Sequence, residues 1–149
     1  MAPLTQTEVD GIMSELSPFL ASDAKKVELG LGAYKALLTA KPEYIPLFSK
    51  LQGLTIDNVF QSEGIKYYAR TLVEDLVKML KTAAKDDELQ KVLVQSGHQH
   101  TSRKVTKQQF MNGEPIFIDY FNKTLSKPEN KAAMEKFLKH SFPVIANNI

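Results

Sequence analysis

The 149 residues include no cysteine, no tryptophan and only three histidines. Without cysteine there are no disulfide staples, thiolate metal sites, thiol nucleophiles or iron–sulfur clusters, and the expected setting is reducing and cytoplasmic. Neither sign of charge dominates. The 19 lysines and arginines face 17 acids for a formal charge of +2, and they form no basic stripe that would track phosphates, so a nucleic-acid partner is not expected. No apolar run approaches the roughly 18 residues that span a bilayer, which argues against a membrane partner. Met1 to Asp10 hold two acids and neither a basic residue nor an apolar core, unlike a secretory signal. No glycine-rich phosphate loop is present either. Few catalytic options survive, and any cofactor must be held by very few side chains.

What remains is 43% hydrophobic and 24% charged, the composition of one soluble domain spanning residues 1–149. Most segments carry helical periodicity and none shows the bounded alternation of a strand, so the expected class is all-α. Thr5 and Glu8 form a capping box for a first helix that Ser17-Pro18 ends. A second helix from about Asp23 places Val27, Gly30, Leu31, Tyr34, Leu37 and Leu38 at helical spacing, with Tyr34 inward and Gly30 one turn before it. Lys41-Pro42 ends it and opens a short turn. A minor helix is expected over Thr55 to Phe60.

From about Ser62 to Lys81 the repeat Ile65, Tyr68, Ala69, Leu72, Val73, Leu76, Val77, Leu80 gives the strongest amphipathic pattern of the chain. Helices are then expected from Asp86 to about His100, from Thr106 to Thr124 with a kink at Pro115, and from Ser126 as N-cap, with Pro128 just inside and Glu129 closing the box. Seven or eight helices of unequal length on short connections favour orthogonal packing over a long symmetric bundle.

Helical phase separates the two central histidines. Relative to Leu89, at about 100° per residue, His100 lies roughly 20° away and His98 roughly 180° away, so His100 shares the inward stripe of Leu89, Val92, Leu93 and Ser96. Alone, this pattern also fits a satisfied core histidine, and a His-x-His zinc site has no third ligand nearby. Val105 and Phe110 follow and offer an apolar floor.

These residues, with Pro42 and Phe48 six positions on, resemble the globin family, in which a histidine near the end of one helix meets haem and a phenylalanine after a short third helix lies against it. The stretches GLGAYKALLTAKPEYI, QSEGIKYYARTL, HTSRKVT and EKFLKH are similar to trematode globins. Tyr34 and Tyr68 stand where that family places its main distal side chains, and Gly30 and Ala69 match the small residues at its close helix crossing. The resemblance implies a globin fold, a haem b bound through iron to His100, and a pocket lined by Phe48, Leu72, Val105 and Phe110. Arg103 is the expected propionate partner, with Lys66 and Arg70 also within positional reach.

With only His98, His100 and His140 in the chain, a second imidazole on the Tyr68 side is impossible. The expected activity is reversible, high-affinity binding of dioxygen and other diatomic gases, for storage, scavenging or transport, by a monomer. Tyr34 would be the primary hydrogen-bond donor to dioxygen, Tyr68 faces the same pocket by phase and would either bond the ligand or swing outward as a gate, and the second ring nitrogen of His100 would donate to the Ser96 carbonyl. A haem enzyme detoxifying peroxide or nitric oxide is the alternative, although no distal histidine offers acid–base catalysis. A helical protein that binds an apolar ligand without haem would lack any reason for the Pro42, Phe48 and His100 spacing.

Overall fold

Hydroxyl and acidic side chains begin most of the helices, and proline or glycine interrupts them. In the computed structural model, which describes residues 1–149, the Thr5 hydroxyl accepts from the Glu8 N–H (3.1 Å) and the Glu8 carboxylate accepts from the Thr5 N–H (3.0 Å). This reciprocal box starts α1 (Gln6–Leu16), which runs into a 3-10 turn at Ser17–Leu20 that contains Pro18. Ser22 caps α2 (Asp23–Ala40), and Ser62 caps α3 (Glu63–Lys81). Asp86, Asp87 and Glu88 sit in the first turn of α4 (Asp86–Thr101), where negative charge suits the positive end of the helix. Between α2 and α3 the chain makes short 3-10 turns at Pro42–Leu47, Ser49–Leu51 and Val59–Gln61. The architecture is all-helical, with no strand, and no helix is long and apolar enough to cross a membrane.

Three local expectations are corrected. Thr55 to Phe60 makes a single turn rather than a helix: the Asn58 and Val59 N–H groups donate to the Thr55 carbonyl (3.1 and 2.9 Å), and the Thr55 N–H donates to the Asn58 side chain (2.8 Å) and the Asp57 N–H to the Thr55 hydroxyl (3.3 Å), which hold the turn locally. Only Val59–Gln61 winds into a 3-10 turn. The helix expected from Thr106 to Thr124 is broken rather than kinked. A second capping box, Thr106 with Gln109, opens α5 (Lys107–Met111), which stops at Asn112-Gly113, and Pro115 lies in the first turn of α6 (Glu114–Thr124). Proline has no N–H to donate back one turn, but it costs nothing where those donors are free anyway.

Ser126 does not cap the last helix, α7 (Pro128–Ala146). Its N–H and hydroxyl both donate to the Glu15 carboxylate of α1 (2.8 and 2.6 Å), which also accepts from the Lys127 N–H (3.2 Å) and the Asn130 amide (2.7 Å). An acid from a distant helix thus fastens the two residues that lead into α7, and periodicity along α7 alone carries no trace of it.

The apolar side chains divide into two groups. The larger gathers Ile12, Leu16, Leu29, Leu89, Leu93, Phe137 and their neighbours from α1, α2, α3, α4, α6 and α7. The smaller gathers Tyr34, Leu38, Tyr44, Leu51, Ile65 and Tyr68 around the α2–α3 crossing. Each fully buried leucine contributes roughly 1.5–3 kcal/mol. The crossing of α2 and α3 is very close: a Cβ on Gly30 would run into the backbone of Ala69, so glycine is required there by packing.

Candidate functional site

Between the two apolar groups lies a cavity of about 170 Å³. Of its 25 lining residues 17 are hydrophobic, so its occupant must be largely apolar. All eight residues singled out from the sequence line it. Tyr34, Phe48, Tyr68 and Leu72 come from α2, the turn after it and α3, while His100, Arg103, Val105 and Phe110 come from α4, the following loop and α5.

His100 is oriented from within its own helix. Its Nδ1 lies 2.7 Å from the Ser96 carbonyl oxygen one turn earlier. A carbonyl only accepts, so Nδ1 carries the proton and Nε2 keeps a free lone pair. Phe110 packs edge-on to the ring at 4.9 Å. Burial pushes the imidazole below its ordinary pKa, the Ser96 bond offsets this in part, and the Arg103 charge pushes the same way as burial. The ring is therefore neutral at pH 7, the form that donates to a metal. His98 is exposed, as its phase requires.

Tyr34 is 9% exposed. Burial holds its phenol well above the ordinary range, so the hydroxyl stays protonated, and no protein group is hydrogen-bonded to it. Phe48 braces it edge-on at 5.6 Å. Tyr68 is 6% exposed and its neighbour Tyr67 42%, which places the first inside and the second on the rim. The Tyr68 ring leans on Phe48 at 5.0 Å. Unlike Tyr34, its hydroxyl is engaged: it accepts from the Lys50 N–H (3.1 Å) and shares a hydrogen bond with the Ser49 hydroxyl (3.3 Å).

Arg103 reaches the cavity wall. Lys66 and Arg70 do not: Lys66 pairs with Glu63 at 3.2 Å, and Arg70 lies 6.0 Å from the Tyr67 ring on the outside of α3. Sequence reasoning missed Asp75, a half-buried carboxyl on the cavity wall that burial pushes up and Arg103 pulls down. It lies seven residues, two helical turns, beyond Tyr68, and that phase was the available signal. Tyr44 was also missed. Its hydroxyl accepts from the Asn112 amide at 2.9 Å and ties the turn after α2 to the α5–α6 break.

The global comparisons agree with this arrangement. The globin family model matches residues 31–145. A globin of Isoparorchis hypselobagri is 42% identical over 147 residues, covering 98% of this chain and 99% of its own, and a globin of Dicrocoelium dendriticum is 46% identical over 144 residues, covering 97% and 94%. The chain belongs to the globin family.

Solved structures share the fold of this globin. Ferric Aplysia limacina myoglobin superimposes with a TM-score of 0.80 at 19% identity over 97% of this chain and 98% of its own. A C. elegans globin-like protein superimposes with 0.79 at 17% identity, over 97% and 94%. At such identities the likeness speaks for the fold alone.

The residues present fit a metalloporphyrin. No three His, Cys, Asp or Glu side chains of this globin are arranged to hold a metal ion, so a metal reaching Nε2 of His100 must bring most of its coordination with it. The apolar walls suit a flat hydrophobic ring, and Arg103 at the wall suits its carboxylates.

Proposed function

We propose that this globin binds dioxygen reversibly and with high affinity at a haem b seated in the cavity between its two apolar groups. Membership of the family implies the cofactor. Haem, when bound, would supply an iron that an imidazole such as His100 could hold and that could take up a diatomic gas. The observation that carries the reading is the polarity of the cavity. A neutral imidazole offers one free lone pair from α4, and a protonated phenol without a protein partner projects from α2.

In this reading His100 is the metal ligand, with the Ser96 carbonyl fixing its tautomer and plane. Phe48, Leu72, Val105 and Phe110 exclude water, which strengthens every polar contact inside. Tyr34 is the main donor toward a diatomic ligand that carries partial negative charge. Such a hydrogen bond is worth roughly 1.5–3 kcal/mol. Tyr68 is the second donor, weaker because its hydroxyl is already engaged by the Lys50 N–H and the Ser49 hydroxyl. Arg103 is the cation for a haem carboxylate.

The proposed role is binding for storage, scavenging or transport rather than turnover: His100 is the only imidazole on the cavity wall, so the side chain most often used for acid–base catalysis is missing opposite it. A monomeric, cytoplasmic protein completes the proposal. The test is the ferrous and oxygenated absorption spectra of the purified protein together with its oxygen release rate. Slow release from a pigmented protein supports the reading, whereas a colourless chain that refuses added hemin refutes it.

A further inference from the structure

Only one side-chain polar atom with essentially no accessible surface lacks a hydrogen-bond partner, the hydroxyl oxygen of Ser141. Ser141 is 2% exposed, yet it lines the His100 cavity. Its companions on that stretch of α7, Phe137, Leu138, Phe142 and Ile145, offer no polar side chain. A hydroxyl held in such surroundings is paired in native proteins either by protein or by ordered water.

Two contacts place this turn of α7 beside the His100 turn of α4. A Cβ on Gly97 would sit 2.6 Å from the Ile145 carbonyl oxygen, so the two backbones touch there, and Ser141 is one helical turn before Ile145. Phe110 bridges the same gap, 4.9 Å from the His100 ring and 4.8 Å from the Phe142 ring. The polar groups in this corner are the Ser141 hydroxyl, the Ser96 hydroxyl and the second lone pair of the Ser96 carbonyl, whose first lone pair accepts from His100 Nδ1 at 2.7 Å.

We propose that this corner is a binding site for one buried water, which accepts from the Ser141 hydroxyl and donates to the Ser96 carbonyl and hydroxyl, making Ser141 a positioning residue for His100. A buried water needs two to four polar partners, and the Ser141 hydroxyl with the Ser96 carbonyl and hydroxyl would supply three from residues that line the same cavity. By taking a share of the Ser96 carbonyl, the water weakens the acceptor that His100 Nδ1–H uses. The imidazole becomes a slightly poorer electron donor through Nε2. Ser141 thus tunes a ligand that it does not touch.

The inference rests on the haem reading, and the experiment separates the two. The iron–histidine stretching band of the ferrous, haem-loaded protein is recorded by resonance Raman for the wild type, Ser141→Ala and Ser141→Thr. The expected result is a shift of the band to higher wavenumber in Ser141→Ala, with a lowered melting temperature, and a return toward the wild-type position in Ser141→Thr. A Ser141→Ala protein that takes up hemin normally but leaves the band unmoved overturns the proposal alone, whatever the melting temperature does. Equal shifts in the alanine and threonine variants overturn it as well, since packing and not the hydroxyl would then be the cause. A wild-type chain that takes up no hemin refutes the haem reading and this proposal with it.

Discussion

Replacing Tyr34 by phenylalanine removes one hydroxyl and leaves the ring that Phe48 braces at 5.6 Å. That hydroxyl has no protein partner to abandon, so the substitution strands no buried donor or acceptor, the usual source of large losses. The haem-free Tyr34→Phe chain should therefore melt at or slightly above the wild-type temperature. Oxygen release should change sharply. A hydrogen bond from a protonated phenol to a partly anionic ligand, at roughly 1.5–3 kcal/mol, corresponds to about a tenfold to hundredfold faster release at one decade per 1.4 kcal/mol.

Carbon monoxide carries far less charge on its outer atom, so its release should stay within about twofold. Stopped-flow displacement of oxygen by carbon monoxide, and of carbon monoxide by nitric oxide, measures both rates on the same protein. An oxygen release rate unchanged by the substitution would falsify the donor role of Tyr34. A parallel rise for both gases would trace the effect to altered cavity shape instead.

His100→Gly should abolish the spectrum of imidazole-ligated haem while the chain stays folded, and added free imidazole should restore it; ferrous spectra before and after imidazole check this. Tyr68→Phe removes the acceptor of the Lys50 N–H and should lower the melting stability by about 1–2 kcal/mol, while oxygen release speeds up less than in Tyr34→Phe. Gly30→Ala forces a methyl group against the Ala69 backbone and should cost about 1–3 kcal/mol in urea unfolding. Glu15, whose carboxyl four donors from Ser126, Lys127 and Asn130 hold down at about 2, against an ordinary 4.5, stabilises the fold fully above pH 4.5. That contribution is lost as the pH falls from about 4.5 to about 2. Complete linkage would be about 3 kcal/mol, which solvent screening at this rim position reduces to about 1–2 kcal/mol. Glu15→Gln should therefore unfold more easily at pH 7 and approach wild-type stability near pH 2, by urea titration at the two pH values.

Helix positions were legible wherever one face of one helix carries the information. The Thr5–Glu8 box, the α3 repeat and the inward phase of His100 need only neighbours three or four residues away. The failures share a different cause. The carboxylate that takes the N–H of Ser126 belongs to Glu15, 111 residues earlier, and no local pattern records such a partner. The Asn112-Gly113 break was visible as a glycine and a proline two residues apart, but the period of the apolar residues runs on through it. In the cavity the sequence pointed to the walls, since Tyr34, Tyr68 and His100 each sit on an apolar stripe. It was silent on hydroxyl partners, because Ser49 and Lys50 meet Tyr68 only through the irregular turn between α2 and α3. Sequence ranked Tyr34 above Tyr68 only because Tyr68 could swing outward; the hydroxyl partners that distinguish the two phenols come from the structure.

The same contacts that pack the helices set the distances across the cavity. Gly30 draws α2 onto the backbone of Ala69, which brings Tyr34, one turn after the glycine, to the same wall as Tyr68, one residue before the alanine. Gly97 draws α4 onto α7 at Ile145, which brings His100, three residues further on, beside the Ser141 turn. Each wall is thus fixed by a backbone-to-backbone contact that a single Cβ would push apart. Between them the chain leaves its two apolar groups unjoined along the cavity instead of closing one core, which forfeits the dispersion contacts a filled interior would make. In the proposed reading a fold arranged in this way is completed by an apolar guest, and the imidazole and the unpartnered phenol set which polar groups that guest must meet.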